Sequence, residues 1–123
     1  MIELKRAYDA PAPGDGRRFL VERLWPRGVR KTELPLDGWL KDVAPSPELR
    51  RWFGHAPHRW FSFRRRYLGE LRRHADALTP LLEAARHGPV TLVYSARDTE
   101  HNAAVVLRAH LRHLLHESSR RSA

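Results

Sequence analysis

An α/β fold with at least one pair of parallel strands is what the sequence predicts, and three observations predict it. Two short apolar runs, Arg18 to Trp25 and Val90 to Ala96, have the composition of buried strands. About sixty residues of mostly helical spacing separate them. A further helical stripe follows the second run directly. A strand, a helical connection and a second strand form the pattern of a crossover between parallel neighbours, so the expectation is a small Rossmann-like sheet, in two or three layers, with helices packed on it.

Met1 to Tyr8 sets Ile2, Leu4, Arg6 and Tyr8 against Glu3, Lys5 and Ala7, the two-residue period of an edge strand. Asp9 to Gly16 carries prolines and glycines and closes on Asp15-Gly16, which is turn chemistry. That connection is too short for a helix, which leaves two outcomes: the first strand pairs antiparallel, or the sheet holds strands the pattern does not reveal. Leu36 to Val43 reads as a short helix. Ser46-Pro47-Glu48 is a helix start, with serine as N-cap and proline in the first turn, and Gly54 is its stop. Pro57 opens a longer helix on which Trp60, Phe63, Tyr67 and Leu71 share a face. Thr79-Pro80 begins another, which runs to Gly88. From Glu100 to His116, Ala104, Leu107, Leu111, Leu114 and Leu115 form the inward stripe of the last helix. Residues 1–117 are expected to make one domain, and residues 118–123 a frayed polar tail.

Composition narrows the function. Hydrophobic residues are 41% and charged residues 30%, the balance of a chain that folds. There is no cysteine, which excludes disulfides, zinc thiolates, iron-sulfur clusters and thiol nucleophiles. Met1 to Asp9 lacks the apolar core of a signal peptide, and no run approaches the ~20 apolar residues of a membrane span. A cytoplasmic protein with no membrane partner is the expectation. The net charge is +9, and all but three of the 23 basic residues are arginine. Such a balance attracts polyanions and acidic metabolites without specifying a site.

The site follows from the fold. Open α/β sheets bind ligands beyond the carboxyl ends of their strands, where helix N-termini and backbone amides converge. Two such ends are legible: Glu22 to Gly28 after one strand, and Tyr94 to Asn102 after the other. Together they would carry Arg23, Arg27 and Arg97 for an anion, Trp25 or Tyr94 for an apolar part, and Asn102 as a further contact. Asp98 and His101 are the acid-base candidates, although an aspartate directly before a helix commonly serves as a cap. The ligand expected is a small phosphorylated or nucleotide-like anion, with binding alone and binding with catalysis as the two alternatives. Arg64 falls at the apolar edge of its helix and calls for a partner, for which Glu22 is the choice as a structural ion pair.

Two other functions compete. Arg59, Arg65, Arg66, Arg72 and Arg73 form a basic stripe suited to nucleic-acid phosphates. An exposed N-terminal edge strand suits a homodimer. No metal or cofactor is expected. His110, His113 and His116 recur on one helix without a metalloprotease arrangement, and the phosphate-loop, dinucleotide and nucleophile-elbow motifs are absent.

These motifs also carry a resemblance. Asp15-Gly16-x-Arg18, Val21-Glu22-Arg23-Leu24-Trp25-Pro26-Arg27-Gly28, Trp39 to Ser46, Trp52-Phe53-Gly54-His55, and Val90 to Tyr94 leading to Arg97-Asp98-x-x-His101-Asn102 together resemble the YeaO-like family of bacterial proteins, which carry the DUF488 domain. The resemblance covers nearly the whole chain. It implies an α/β fold in the bacterial cytoplasm and draws attention to the same rim, without implying a reaction. The chain departs from the family pattern at Glu22, where aspartate is usual.

Overall fold

The computed structural model describes the backbone of residues 1–122 and side chains to residue 120. Strands β1 (Ile2–Arg6), β2 (Arg17–Leu20), β3 (Gly38–Trp39) and β4 (Val90–Tyr94) form one sheet in the order β1-β4-β2-β3. Every neighbouring pair is parallel. β4 lies between β1 and β2 and is buried along its whole length, as its Val-Thr-Leu-Val-Tyr composition favours. Side chains alternate across the pleat. Phe19, Val90, Leu92 and Tyr94 join one apolar cluster, while Leu20 and Val93 join another on the opposite face.

The helices α1 (Pro47–Phe53), α2 (Trp60–Arg73), α3 (Thr79–His87) and α4 (Ala103–Ser122) all contribute to the first cluster. The opposite face is covered by the chain between β2 and β3, which holds no α-helix, through Trp25, Val29, Leu34 and Leu36. Ser46 caps α1 by accepting a hydrogen bond from Leu49 N at 3.2 Å, and Gly54 ends it in the left-handed region. Trp60, Phe63, Tyr67 and Leu71 are the buried face of α2. α4 takes in the polar residues from Ser118, and Ala123 lies outside the described residues.

Two expectations are corrected. β1 is the expected edge strand, but of the two outcomes left open antiparallel pairing fails: β1 pairs parallel to β4 from Ile2↔Val90 to Arg6↔Tyr94, while the sheet does gain an unforeseen strand, β3. The chain returns to the start of β2 through a 3-10 turn at Pro13–Asp15 rather than a helix. Asp15 holds this short return: its carboxylate accepts from Lys5 Nζ at 2.9 Å, Arg18 Nη1 at 2.5 Å and Ala12 N at 3.0 Å. Those donors pull its pKa down to about 2, the Lys5 ammonium contributing most and the Ala12 amide next. Gly16 completes the turn at a φ of 64°, where a Cβ would stand 2.2 Å from the Pro89 carbonyl oxygen.

The second correction concerns residues 36–43, read from the sequence as a short helix. They contain β3 and then a 3-10 turn at Lys41–Val43. Asp37 is the physical reason: its carboxylate accepts from Arg18 N at 2.7 Å, and its own N–H donates to Arg18 O at 2.7 Å. Both bonds pin this segment to β2 in extended form, and a two-residue strand is too short for periodicity to reveal.

Candidate ligand pocket

Parallel pairing of β2 and β4 brings their carboxyl ends to one edge of the sheet. Val21 extends the pairing, donating to Val93 O at 3.1 Å, and the next residue joins the two ends. The Glu22 carboxylate accepts from Ser95 N at 2.6 Å and from Ser95 Oγ at 2.7 and 2.9 Å. Arg23 then reaches across to the approach of α1, donating through Nε to Pro45 O at 2.9 Å and through Nη2 to Ala44 O at 3.4 Å.

On the β4 side, Asp98 organises the turn into α4. Its Oδ1 accepts from the backbone N–H groups of Glu100 and His101, both at 2.9 Å, and its Oδ2 lies 3.1 Å from His101 Nδ1. The His101 and Glu100 amides hold this carboxyl below its ordinary pKa. Asn102 is the N-cap of α4, accepting from Val105 N at 3.0 Å and donating to Asp98 O at 2.9 Å.

A cavity of about 520 Å³ opens between this rim and the facing helices α1 and α2. That is the size of a small-molecule site. Its walls are apolar, built from Val21, Phe53, Phe63, Ala96, Ala103 and Ala104, and its lining also includes the guanidinium groups of Arg23, Arg50 and Arg97 and the His55 imidazole. Among the described residues, the guanidinium groups of Arg50 and Arg97 have no carboxylate or hydrogen-bonding partner. The carboxylates that line the cavity, Glu22 and Asp98, are already held by donors. The first turn of α4 also borders the space and adds the positive end of a helix dipole.

His55 has a φ of 56°, in the left-handed region that a side-chain-bearing residue seldom adopts. It follows Gly54, also left-handed, and the resulting turn sets its ring 6.0 Å from that of Phe53 at the cavity.

Of the residues expected at the rim, Arg23, Tyr94, Arg97, Asp98 and Asn102 do border the cavity. Trp25, Arg27 and His101 do not. Trp25 packs edge-on against Trp39 on the other face of the sheet and donates to Val29 O. Arg27 is exposed, with its carbonyl held by the Tyr8 hydroxyl. His101 stands edge-on to Trp60, 5.1 Å away. Arg64 and Glu22 form no ion pair: Arg64 lies exposed at the margin of the buried face of α2, and Glu22 is taken up by Ser95. Arg65, Arg72 and Arg73 are exposed on α2, while Arg59 and Arg66 lie over the Trp52 ring.

Sequence reasoning missed Arg50, His55, Phe53 and Phe63 as lining residues. Phe63 belongs to the buried face of α2 and also lines the cavity. The signal for His55 was available in Trp52-Phe53-Gly54-His55, where a histidine follows directly on the glycine that ends a helix.

Elsewhere, no group of three or more potential metal ligands occurs among the described residues. His110 is buried, and burial lowers its pKa, with Arg72 and His113 adding to the effect. The outer edge of β1 is partly closed, because Arg112 Nη2 donates to Ile2 O at 3.0 Å. No helix among the described residues is long and apolar enough to cross a membrane.

A family described as the inactive DUF488-N3 subclade matches residues 1–123. The chain is 46% identical over 113 residues to the uncharacterized protein YeaO of Escherichia coli, an alignment spanning 92% of this chain and 98% of the relative. It is 42% identical over 106 residues to the uncharacterized protein Rv3073c of Mycobacterium tuberculosis, covering 86% of this chain and 89% of that one. The same figures hold for the uncharacterized protein Mb3100c of Mycobacterium bovis. No solved structure matches the chain.

Proposed function

The chain belongs to the YeaO-like DUF488 family, in its inactive DUF488-N3 subclade, and on that premise we propose that it binds a small organic anion at the carboxyl edge of its sheet without transforming it. The observation that carries this reading is the pairing of an apolar cavity with the unpartnered guanidinium groups of Arg50 and Arg97. Cations left without acids favour a ligand that brings its own negative charge. Apolar walls favour one that also has an aromatic or aliphatic body, such as a nucleotide-like phosphate ester or an aromatic carboxylate.

Binding is preferred to catalysis because the acid-base candidates are otherwise occupied. Asp98 is ionised, with Oδ1 taken by two backbone N–H groups and Oδ2 beside His101 Nδ1, and the His101 ring packs on Trp60 outside the cavity lining. The word inactive in the family description agrees with this.

Thermal denaturation of the full chain with inorganic phosphate, nucleoside monophosphates and aromatic carboxylates tests the proposal. Organic anions are expected to raise the Tm more than inorganic phosphate, and Arg50→Ala with Arg97→Ala should abolish the rise while the free protein keeps its helicity. No stabilisation by any of these probes, or stabilisation undiminished in the double variant, would reject it. Chromatography of the incubated ligand should recover it unchanged.

A further inference from the structure

The outward side of α2 is a second cationic surface, independent of the cavity, and we propose that it binds single-stranded nucleic acid. Phe61, Arg64, Arg65 and Arg72 recur at the spacing that places them along one side of the helix, with Leu68 beside them half-buried against the core. The three arginines are exposed, and Phe61 is 79% exposed. Arg66 adds a further exposed guanidinium, its Cζ 4.1 Å from the centre of the Trp52 ring. α2 has a single acidic residue, Glu70, and both of its carboxylate oxygens are bound by Ser46, through N at 2.8 Å and Oγ at 2.5 Å. The cationic side therefore carries no compensating carboxylate of its own helix.

Gly69 is the independent observation. It sits inside α2, where glycine weakens a helix relative to alanine. Packing does not require it: of the surrounding atoms, the only one within 4 Å of an added Cβ is the flexible end of Arg73, at 3.4 Å. A bare backbone at the middle of an arginine surface lets a partner approach closely.

Charge alone would fit any polyanion. The exposed ring of Phe61 favours unpaired bases, which offer π faces for stacking that a duplex keeps covered. A membrane surface fits less well, because the continuous apolar face of α2 is spent on the protein core.

Fluorescence anisotropy of a labelled oligothymidylate with the full chain tests this. If four arginines neutralise phosphates, affinity should fall about 50-fold between 50 and 200 mM salt, from a slope of about −0.7 per contact on single strands. Arg65→Ala with Arg72→Ala should weaken binding and make that slope shallower by about 1.4. Phe61→Ala should weaken it with the slope unchanged, and Gly69→Ala should weaken it while raising the Tm. The equal charge loss of Arg27→Ala with Arg30→Ala, away from α2, should leave binding intact. The proposal is overturned by no binding at 50 mM salt, by equal loss in both arginine pairs, or by duplex DNA or anionic phosphatidylserine vesicles binding as tightly as the single strand.

Discussion

Glu22 and Ser95 are seventy-three positions apart, and the carboxylate of one takes both the backbone N–H and the hydroxyl of the other. This contact lies just past the last paired residues of β2 and β4, at Leu20 and Val93, and binds the two halves of the pocket rim. Glu22 thus has a structural task, reaching the neighbouring strand end.

Removing that carboxylate should loosen the rim. Glu22→Ala is expected to cost about 2 kcal/mol, the scale of hydrogen bonds to a charged group whose loss leaves a donor unmet. Urea denaturation should show it. Ser95→Ala should cost less, since the backbone N–H remains, and the double variant should fall short of the sum of the two. Fully additive losses would show that the residues do not act as a pair.

Asp15 predicts a pH dependence with a definite sign. Its folded pKa, about 2, is below the ordinary 3.8, so the unfolded chain binds the proton more tightly. The Asp15 contribution is therefore complete above about pH 4 and is lost as pH falls through 2. Asp15→Asn should cost about 3 kcal/mol at pH 7, because it leaves the buried Arg18 without its counter-charge. Urea midpoints between pH 7 and pH 2 should converge for the two proteins at the acid end. A constant gap would contradict the assignment.

His55→Gly should stabilise the protein by about 1 kcal/mol by relieving left-handed backbone at a residue with a Cβ. The same change should weaken anion binding at the cavity. A glycine variant that is less stable and binds equally well would show that the ring matters for packing instead.

Gly69→Ala is expected to raise stability by about 1 kcal/mol, the ordinary helix-propensity difference. Thermal melts without any ligand measure it. A fall in Tm would mean that the close contact with the Arg73 side chain is not relieved by rotation of that side chain.

Long patterned elements were legible in the sequence, and short ones held by single contacts were not. α2 could be read because Trp60, Phe63, Tyr67 and Leu71 repeat over three turns, and β4 because five successive β-formers lie between turn residues. β3 escaped because two residues carry no period, and its position depends on Asp37 meeting Arg18 from a distant part of the chain. The convergence of the β2 and β4 ends was readable from the strand-helix-strand order. The contribution of Arg50 and His55 was not, because nothing in the sequence says how α1 is inclined over the sheet. Arg64 was misread for a related reason: a helical wheel fixes angle, but not how far the neighbouring elements extend to cover it.

β4 is the shared partner of β1 and β2, yet it is the last of the four strands to leave the ribosome. Until Val90 to Tyr94 emerge, the ladders of Ile2 to Arg6 and Arg17 to Leu20 that face β4 have nothing to pair with. Assembly must therefore proceed by insertion of a late strand between two early ones, a route of high contact order and slow closure. Nascent chains arrested before residue 90 would present unpaired edges to chaperones rather than a partial native sheet.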